Sequence, residues 1–332
     1  MPIPSLPGPI APDKPNPSPR PPLPMRWAHT YVSIAGSNGA GEEIPLTGFV
    51  DREWPAIMMR EGATGLDMPP FELHADDSPN LDGSIYRSSR ATARQIMLPL
   101  HLQGIDRRTL KELKRKLSRA LNPRNGACKL TFTEADSQPR HLWCYYVDGM
   151  QGAEGVDTAG FKWCRYGIQL IAHDPWFYSP DLTVAEWTFT KGSAFLKKGA
   201  TPFLPITINK GVLSSEAVPV INPGDVEAWP VWEIKGPVRS LTFTSPTGAS
   251  FALPGRSDGQ PAVADGRTLS VDTRPGKKTL VDDRGENYWP LLGPNPSLWS
   301  VPAGKSTVSI VLVPGAGDPR LRLTLRPRYE SY

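Results

Sequence analysis

The sequence predicts a mainly β protein with one helix in its N-terminal half and a β-sandwich in its C-terminal half. Three observations predict it. The chain of 332 residues holds 38 Pro and 30 Gly, and interior prolines break helices. A single stretch, 106–121, carries a helical stripe of leucines. From about Leu182 onward, short alternating runs are separated by turn chemistry, the pattern of a sandwich. A chain of this length is comfortable as two domains, each large enough to bury a core.

Residues 1–26, MPIPSLPGPIAPDKPNPSPRPPLPMR, hold eleven prolines. This composition excludes a helix or central strand and favours an extended polyproline II arm. The arm is expected to lie along another chain, with Ile3, Leu6, Ile10 and Leu23 as apolar anchors. From Trp27 the pattern turns to strands. WAHTYVSIAG alternates with period two, SNGAGEE turns the chain, and IPLTGFVDREW returns it. Residues 53–93, rich in Gly, Asp, Ser and Pro, read as a long irregular connection of the kind that forms interfaces. IMLPLHLQG at 96–104 is a strand.

The helix follows. Asp106 suits the N-cap, Leu110, Leu113, Leu117 and Leu121 fall on one stripe, and Asn122–Pro123 stops it. Its other faces carry seven Lys or Arg against Glu112. They are either a solvated surface or a contact for an acidic partner protein, with Lys111, Lys114 and Arg115 as candidate residues. No aromatics interleave these charges, which argues against a single-strand nucleic-acid platform. ACKLTFTEAD, RHLWCYYVDGM and GFKWCRYGIQLIAHD are three more strands. Beyond them, WTF, FLPITIN, WPVWEIKG, RSLTFTS, SFALPG, RTLSVDT, STVSIVLV and RLRLTLR make the sandwich. In the last, Leu321, Leu323 and Leu325 point inward and the arginines outward.

The net charge of +4 is mild, without the concentrated basic face of a nucleic-acid binder. Cys128, Cys144 and Cys164 are odd in number and form no CxxC, so they read as reduced, buried thiols. No basic n-region precedes an apolar stretch at the N-terminus, and the run VSIVLV is too short to span a bilayer. These features predict a soluble protein made inside a cell. No HExxH, GxSxG or GxxxxGK[ST] motif exists, and GSNGAG lies between strands as a hairpin turn. The acidic stretches HADDSPNLDG and VDDRG lack EF-hand spacing, and turn-forming aspartates are their commoner use. Neither catalytic residues, nor a metal site, nor a cofactor are expected.

HDPWFYSP at 173–180 combines a His–Asp pair with three aromatics between prolines. Adjacent strand residues face opposite sides, so His173 and Asp174 cannot form a dyad with each other. Pro175 removes a ladder donor and ends the strand. The motif, Asp174, Pro175, Trp176, Phe177 and Tyr178, reads as a buried interdomain joint.

Together these pieces resemble the siphophage distal tail proteins. The likeness runs through GLDMPPFE (65–72), DGSIYRSSRATARQIMLPLHLQG (82–104), the helix, RHLWCYYVDG and the strand end LIAHDPWFYSP. It continues through INPGDVEAWPVWEIKG, SPTGASFALPG, RTLSVDT, PSLWSVPAGKSTVSIVLV and RPRY, covering about residues 27–332. The resemblance implies an N-terminal β-barrel or sandwich domain with one helix (27–180) that forms a six-membered ring. It implies a galectin-like β-sandwich (181–332) outside that ring. Such a ring joins the tail tube to the tail-tip or hub protein, and to the tape measure protein, at the virion's tail tip. It leaves a channel for DNA that it does not bind specifically. The protein would be made in the bacterial host cytoplasm and would have no membrane partner. The alternative is a carbohydrate-binding module in the C-terminal sandwich. Trp187, Trp229, Trp232, Tyr288, Trp289 and Trp299 could stack on sugar, with Trp289 and Trp299 as the candidates. The chain has no room for the inserted sugar-binding domain of some relatives.

Overall fold

In a computed structural model the described residues are 30–47, 55–77, 79–80, 82–134, 137–151, 161–188, 213–256, 259–315 and 317–332. The proline arm with its four apolar anchors, and the predicted strand at 203–209, lie outside them.

The first half opens with β1 (Tyr31–Ala35), β2 (Glu43–Pro45) and β3 (Ala56–Met59). Then come β4 (Phe71–Asp77), β5 (Ser84–Ala91) and β6 (Arg94–Gln103). Helix α1 (Arg107–Leu121) leads to β7 (Cys128–Thr133), β8 (Arg140–Asp148) and β9 (Trp163–Ala172). Seven of these strands form one antiparallel sheet in the order β2-β1-β7-β8-β9-β6-β3. The Met59 amide donates to the Leu46 carbonyl at 2.7 Å, bringing the two edges together. The sheet thereby becomes a nearly closed barrel. Period-two alternation decides what fills it. Ile96, Leu98, Leu100 and Leu102 of β6, Leu130 and Phe132 of β7, and Tyr166, Ile168 and Leu170 of β9 all point inward and are buried.

The helix begins at the N-cap, where the Asp106 carboxylate accepts from the Thr109 amide at 2.8 Å. The Thr109 hydroxyl accepts from the Asp106 amide at 3.0 Å, completing a capping box with Thr in the usual Glu position. Leu110, Leu117, Ala120 and Leu121 are buried against the barrel core, with Leu113 partly so. Asn122 turns extended ahead of Pro123, as the sequence requires.

One expectation is corrected. Residues 53–93 are not an irregular connection among the described residues. They hold β3 and a hairpin of β4 and β5, paired from Phe71↔Ala91 to Asp77↔Ser84 with a bulge between His74 and Ala75. Nearly every residue of this hairpin is exposed, and the alternation of Phe71, Leu73 and Ala75 stops at Asp76–Asp77, too short to read as a strand against a core.

The second half contains β10 (Phe177–Tyr178), β11 (Leu182–Thr188), β12 (Leu213–Asn222), β13 (Val231–Lys235) and β14 (Val238–Thr244). It continues with β15 (Ser250–Leu253), β16 (Thr268–Asp272), β17 (Thr279–Asp282), β18 (Gly304–Pro314), β19 (Arg320–Leu325) and β20 (Arg328–Tyr329). A five-stranded sheet, β11-β19-β13-β16-β17, packs on a four-stranded one, β12-β18-β14-β15. Trp232, Phe243, Phe251 and Trp299 form an aromatic centre between them. Leu321, Leu323 and Leu325 are fully buried, while Arg320 and Arg322 face out.

The chain's end does not stay with the sandwich. Strand β20 pairs with β10, which pairs with β8, so both join the barrel sheet. Tyr332 stacks on Phe132 at 4.4 Å between ring centroids.

Candidate functional site: the interdomain joint and an uncovered hairpin

Strand β9 ends at Ala172, and the next residues make a turn built by Asp174. Its carboxylate accepts from the Trp176 amide at 3.4 Å and from the Tyr178 hydroxyl at 2.5 Å, an Asx-type turn continued by a side-chain clamp. Burial, and then the Asp174 charge, push the Tyr178 phenol well above its ordinary pKa. His173 stays exposed against Tyr145. Asp174 is therefore taken up by the turn, and the two residues form no dyad.

The three aromatics divide their work. Phe177 is fully buried in the barrel core, edge-on to Phe132 at 5.7 Å. Pro175 is buried, while Trp176 and Tyr178 are half-buried. The Arg328 guanidinium lies over Trp176 at 5.6 Å. Of the five expected joint residues, Phe177 thus belongs to the barrel core, and Asp174 is exposed.

Sequence reasoning missed the residue that binds this joint together. Arg94, at the start of β6, is 1% exposed. Its Nε donates to the Pro175 carbonyl at 2.9 Å, Nη1 to the carbonyls of Gly65 (3.1 Å) and Asp67, and Nη2 to the Glu330 carbonyl at 2.6 Å. Its guanidinium also lies 5.0 Å from the Phe177 ring centroid. Burial lowers the Arg94 pKa from its ordinary value, yet guanidinium remains charged in proteins. One buried cation therefore ties the 65–67 loop, the joint and the C-terminus to the barrel. Gly65 lets the loop approach: its φ is +79°, and a Cβ there would sit 2.0 Å from the Gln95 carbonyl oxygen. Arg140 adds a second tie, donating to the Ser331 carbonyl at 2.8 Å and lying over Tyr329 at 3.7 Å.

The hairpin of β4 and β5 is the other candidate. Phe71, Leu73 and Tyr86 project from one face, with Leu73 67% and Tyr86 62% exposed. The opposite face is laced by Arg87–Asp76 (2.6 Å) and Arg90–Glu72 (2.7 Å). The Arg90 bond and charge hold Glu72 below the usual carboxylate range. Of the helix candidates, Lys111 and Arg115 are exposed and Lys114 half-buried. Lys116 is engaged with Glu42 at 2.7 Å.

The sugar-stacking candidates separate. Trp299 is buried at 5% exposure, edge-on to Trp232, so its face cannot meet a ligand; this corrects the expectation for that residue. Trp289 is exposed, in a short 3-10 turn beside Pro290. The acidic stretches act locally. Asp76 pairs with Arg87, and Asp282 caps its turn by accepting from the amides of Arg284 and Glu286 while pairing with Arg267. Among the described residues no cluster of His, Cys, Asp and Glu could hold a metal ion. No described helix is long and apolar enough to cross a membrane.

Within this barrel, helix, projecting hairpin and sandwich, residues 65–155 match the family model described as phage tail protein RIFT-related domain. No curated protein matches the chain. Among solved structures, the crystal structure of SPP1 Dit, titled a paradigm of the hub adsorption apparatus in phages infecting Gram-positive bacteria, is similar. It gives a TM-score of 0.57 at 13% identity, covering 90% of this chain and 98% of that one. The phage P2 baseplate in its activated conformation with Ca gives 0.49 at 9% identity, covering 92% and 100%. The chain thus has the Dit fold, and in that fold and in its 65–155 segment it resembles a siphophage distal tail protein.

Proposed function

We propose that this chain is a structural protein of the tail of a siphophage virion, and that it self-associates through its barrel into a closed ring at the distal end of the tail. Six subunits, a central channel for DNA, and contacts with the tail tube, tail-tip hub and tape measure proteins follow from the resemblance. The role is structural, with no chemistry at His173 or elsewhere.

The observation that carries this reading is the uncovered hairpin. A two-stranded ribbon alone is at best marginally stable in water. This one lies inside the 65–155 segment and presents Phe71, Leu73 and Tyr86 to solvent while pairing charges on its other face. Such a ribbon is complete only when its apolar face meets another surface. A head-to-tail contact of this kind builds a ring when its rotation closes.

The test is the mass of the purified protein in solution, with negative-stain imaging. Closed rings are expected for the wild type, and monomers of unchanged thermal midpoint for the Leu73→Asp, Tyr86→Asp double variant. A protein that is strictly monomeric at high concentration, and absent as a ring from assembled tails, would sink the proposal.

A further inference from the structure

At the helix end of the barrel, α1 and the turn between β1 and β2 enclose a groove of about 560 Å³. We propose that this groove is the acceptor of the ring contact: it receives the tip of the β4–β5 hairpin of the next subunit, with Arg115 and Arg119 meeting Asp77 and Asp82. The contact presupposes the ring proposed above and names the surface on which its hairpin lands.

Unpaired charges match the two surfaces. Of the groove's ionic side chains, Lys116 is taken by Glu42 at 2.7 Å and Glu112 by Arg108 at 3.2 Å. Arg115 and Arg119 line the same groove one helical turn apart, both exposed, and neither has a partner among the described residues. The hairpin is the converse. Its arginines are taken, Arg87 by Asp76 and Arg90 by Glu72, while Asp77 and Asp82 are exposed and unpartnered among the described residues. Two guanidiniums thus lack what two carboxylates supply, and such pairs can be bidentate and fix the register of an interface. The shapes agree as well. Gly36 lies so close to α1 that a Cβ there would sit 2.5 Å from the Ala120 carbonyl oxygen. The groove floor is therefore backbone, with Gly41 beside it, and a flat ribbon can lie on it. Strand alternation puts Leu73, Ala75 and Asp77 on one face of that ribbon, so its apolar face ends in an acid.

Distance assigns donor and acceptor to different copies. The hairpin enters β6 at Arg94, and α1 leaves β6 after Gln103. Ten residues of strand therefore hold the hairpin root and the helix about 30 Å apart. From Phe71 to Asp77 the ribbon itself reaches about 20 Å, and nearly every residue in it is exposed, so it does not lie along its own barrel. Donor and acceptor sit at opposite ends of the barrel. That is the arrangement of a head-to-tail contact, in which each subunit gives its hairpin to one neighbour and takes one from the other.

Charge reversal in the full chain tests this. The hairpin variant carries Asp77→Lys and Asp82→Lys, and the groove variant carries Arg115→Glu and Arg119→Glu. All four side chains are exposed, so both variants should keep the wild-type circular dichroism. Each alone should need at least about tenfold more protein than the wild type to form rings, read as mass in solution. Mixed in equal amounts, the two should form rings again, because a reversed hairpin fits a reversed groove. Native mass spectrometry should find equal numbers of each in those rings. All four substitutions in one chain should restore rings as well. Rings at the wild-type concentration in either variant, or a mixture that stays monomeric while both variants are folded, would overturn the contact and leave the ring itself standing. A groove variant that forms normal rings but is lost from assembled tails would give the groove to another tail protein and overturn the contact too. A wild type that forms no ring at any concentration would remove both the ring and the contact.

Discussion

Replacing Arg94 with Leu removes the guanidinium that four backbone carbonyls share, those of Gly65, Asp67, Pro175 and Glu330. Each buried carbonyl left without a donor costs about 1–3 kcal/mol. Relief comes from no longer burying a cation, so the net loss should be about 3–5 kcal/mol. Arg94→Lys keeps the charge but offers three donors from a single point and loses the planar contact with Phe177, so it should lose about 2 kcal/mol. Urea unfolding measures the totals. Hydrogen exchange should show the loss first at Phe177–Tyr178 and at Arg328–Tyr329, the small strands that Arg94 holds to the barrel. If Arg94→Leu unfolds within about 1 kcal/mol of the wild type, the cation is not the bolt of the joint and the reasoning fails.

Other outcomes are expected around the same joint. Phe177→Ala should cost about 3–5 kcal/mol and Trp176→Ala about 2, because only the first is a fully buried side chain; equal losses in urea unfolding would contradict that division. His141 stacks beside Tyr178, and burial, then Lys129 and Arg326, push its pKa down to about 4. The unfolded chain then binds the extra proton between about pH 6.5 and 4. Stability is full above the unfolded value and falls as pH drops through that window, and His141→Gln should flatten the fall in a thermal-midpoint series. Reversing the exposed Lys111 and Arg115 to Glu should leave the fold within about 1 kcal/mol, and adding the half-buried Lys114→Glu should cost more; either set should reduce incorporation into assembled tails. Normal incorporation would show that this face is merely solvated.

Much of the fold was legible because it is written in side chains at regular spacing. The alternation of RLRLTLR names the inward leucines of β19, since successive strand residues must face opposite ways. The stripe from Leu110 to Leu121, with Asp106 before it and Asn122–Pro123 after, bounds α1 within a residue. The Asp-Pro pair announces the end of β9, because proline lacks the next ladder donor. The hairpin of β4 and β5 was not legible, because its apolar period is only Phe71, Leu73 and Ala75 and meets no core of this chain. Trp299 and Trp289 were indistinguishable in the sequence: one aromatic ring can fill a core or face water, and only the packing of the two sheets assigned them. Arg94 was the least legible of all. Its partners are backbone carbonyls, which every residue carries, and one of them lies 236 positions away. Local sequence determined which strands and helix form; only the tertiary structure decided that the chain's last residues return to the barrel and that a buried cation waits for them there.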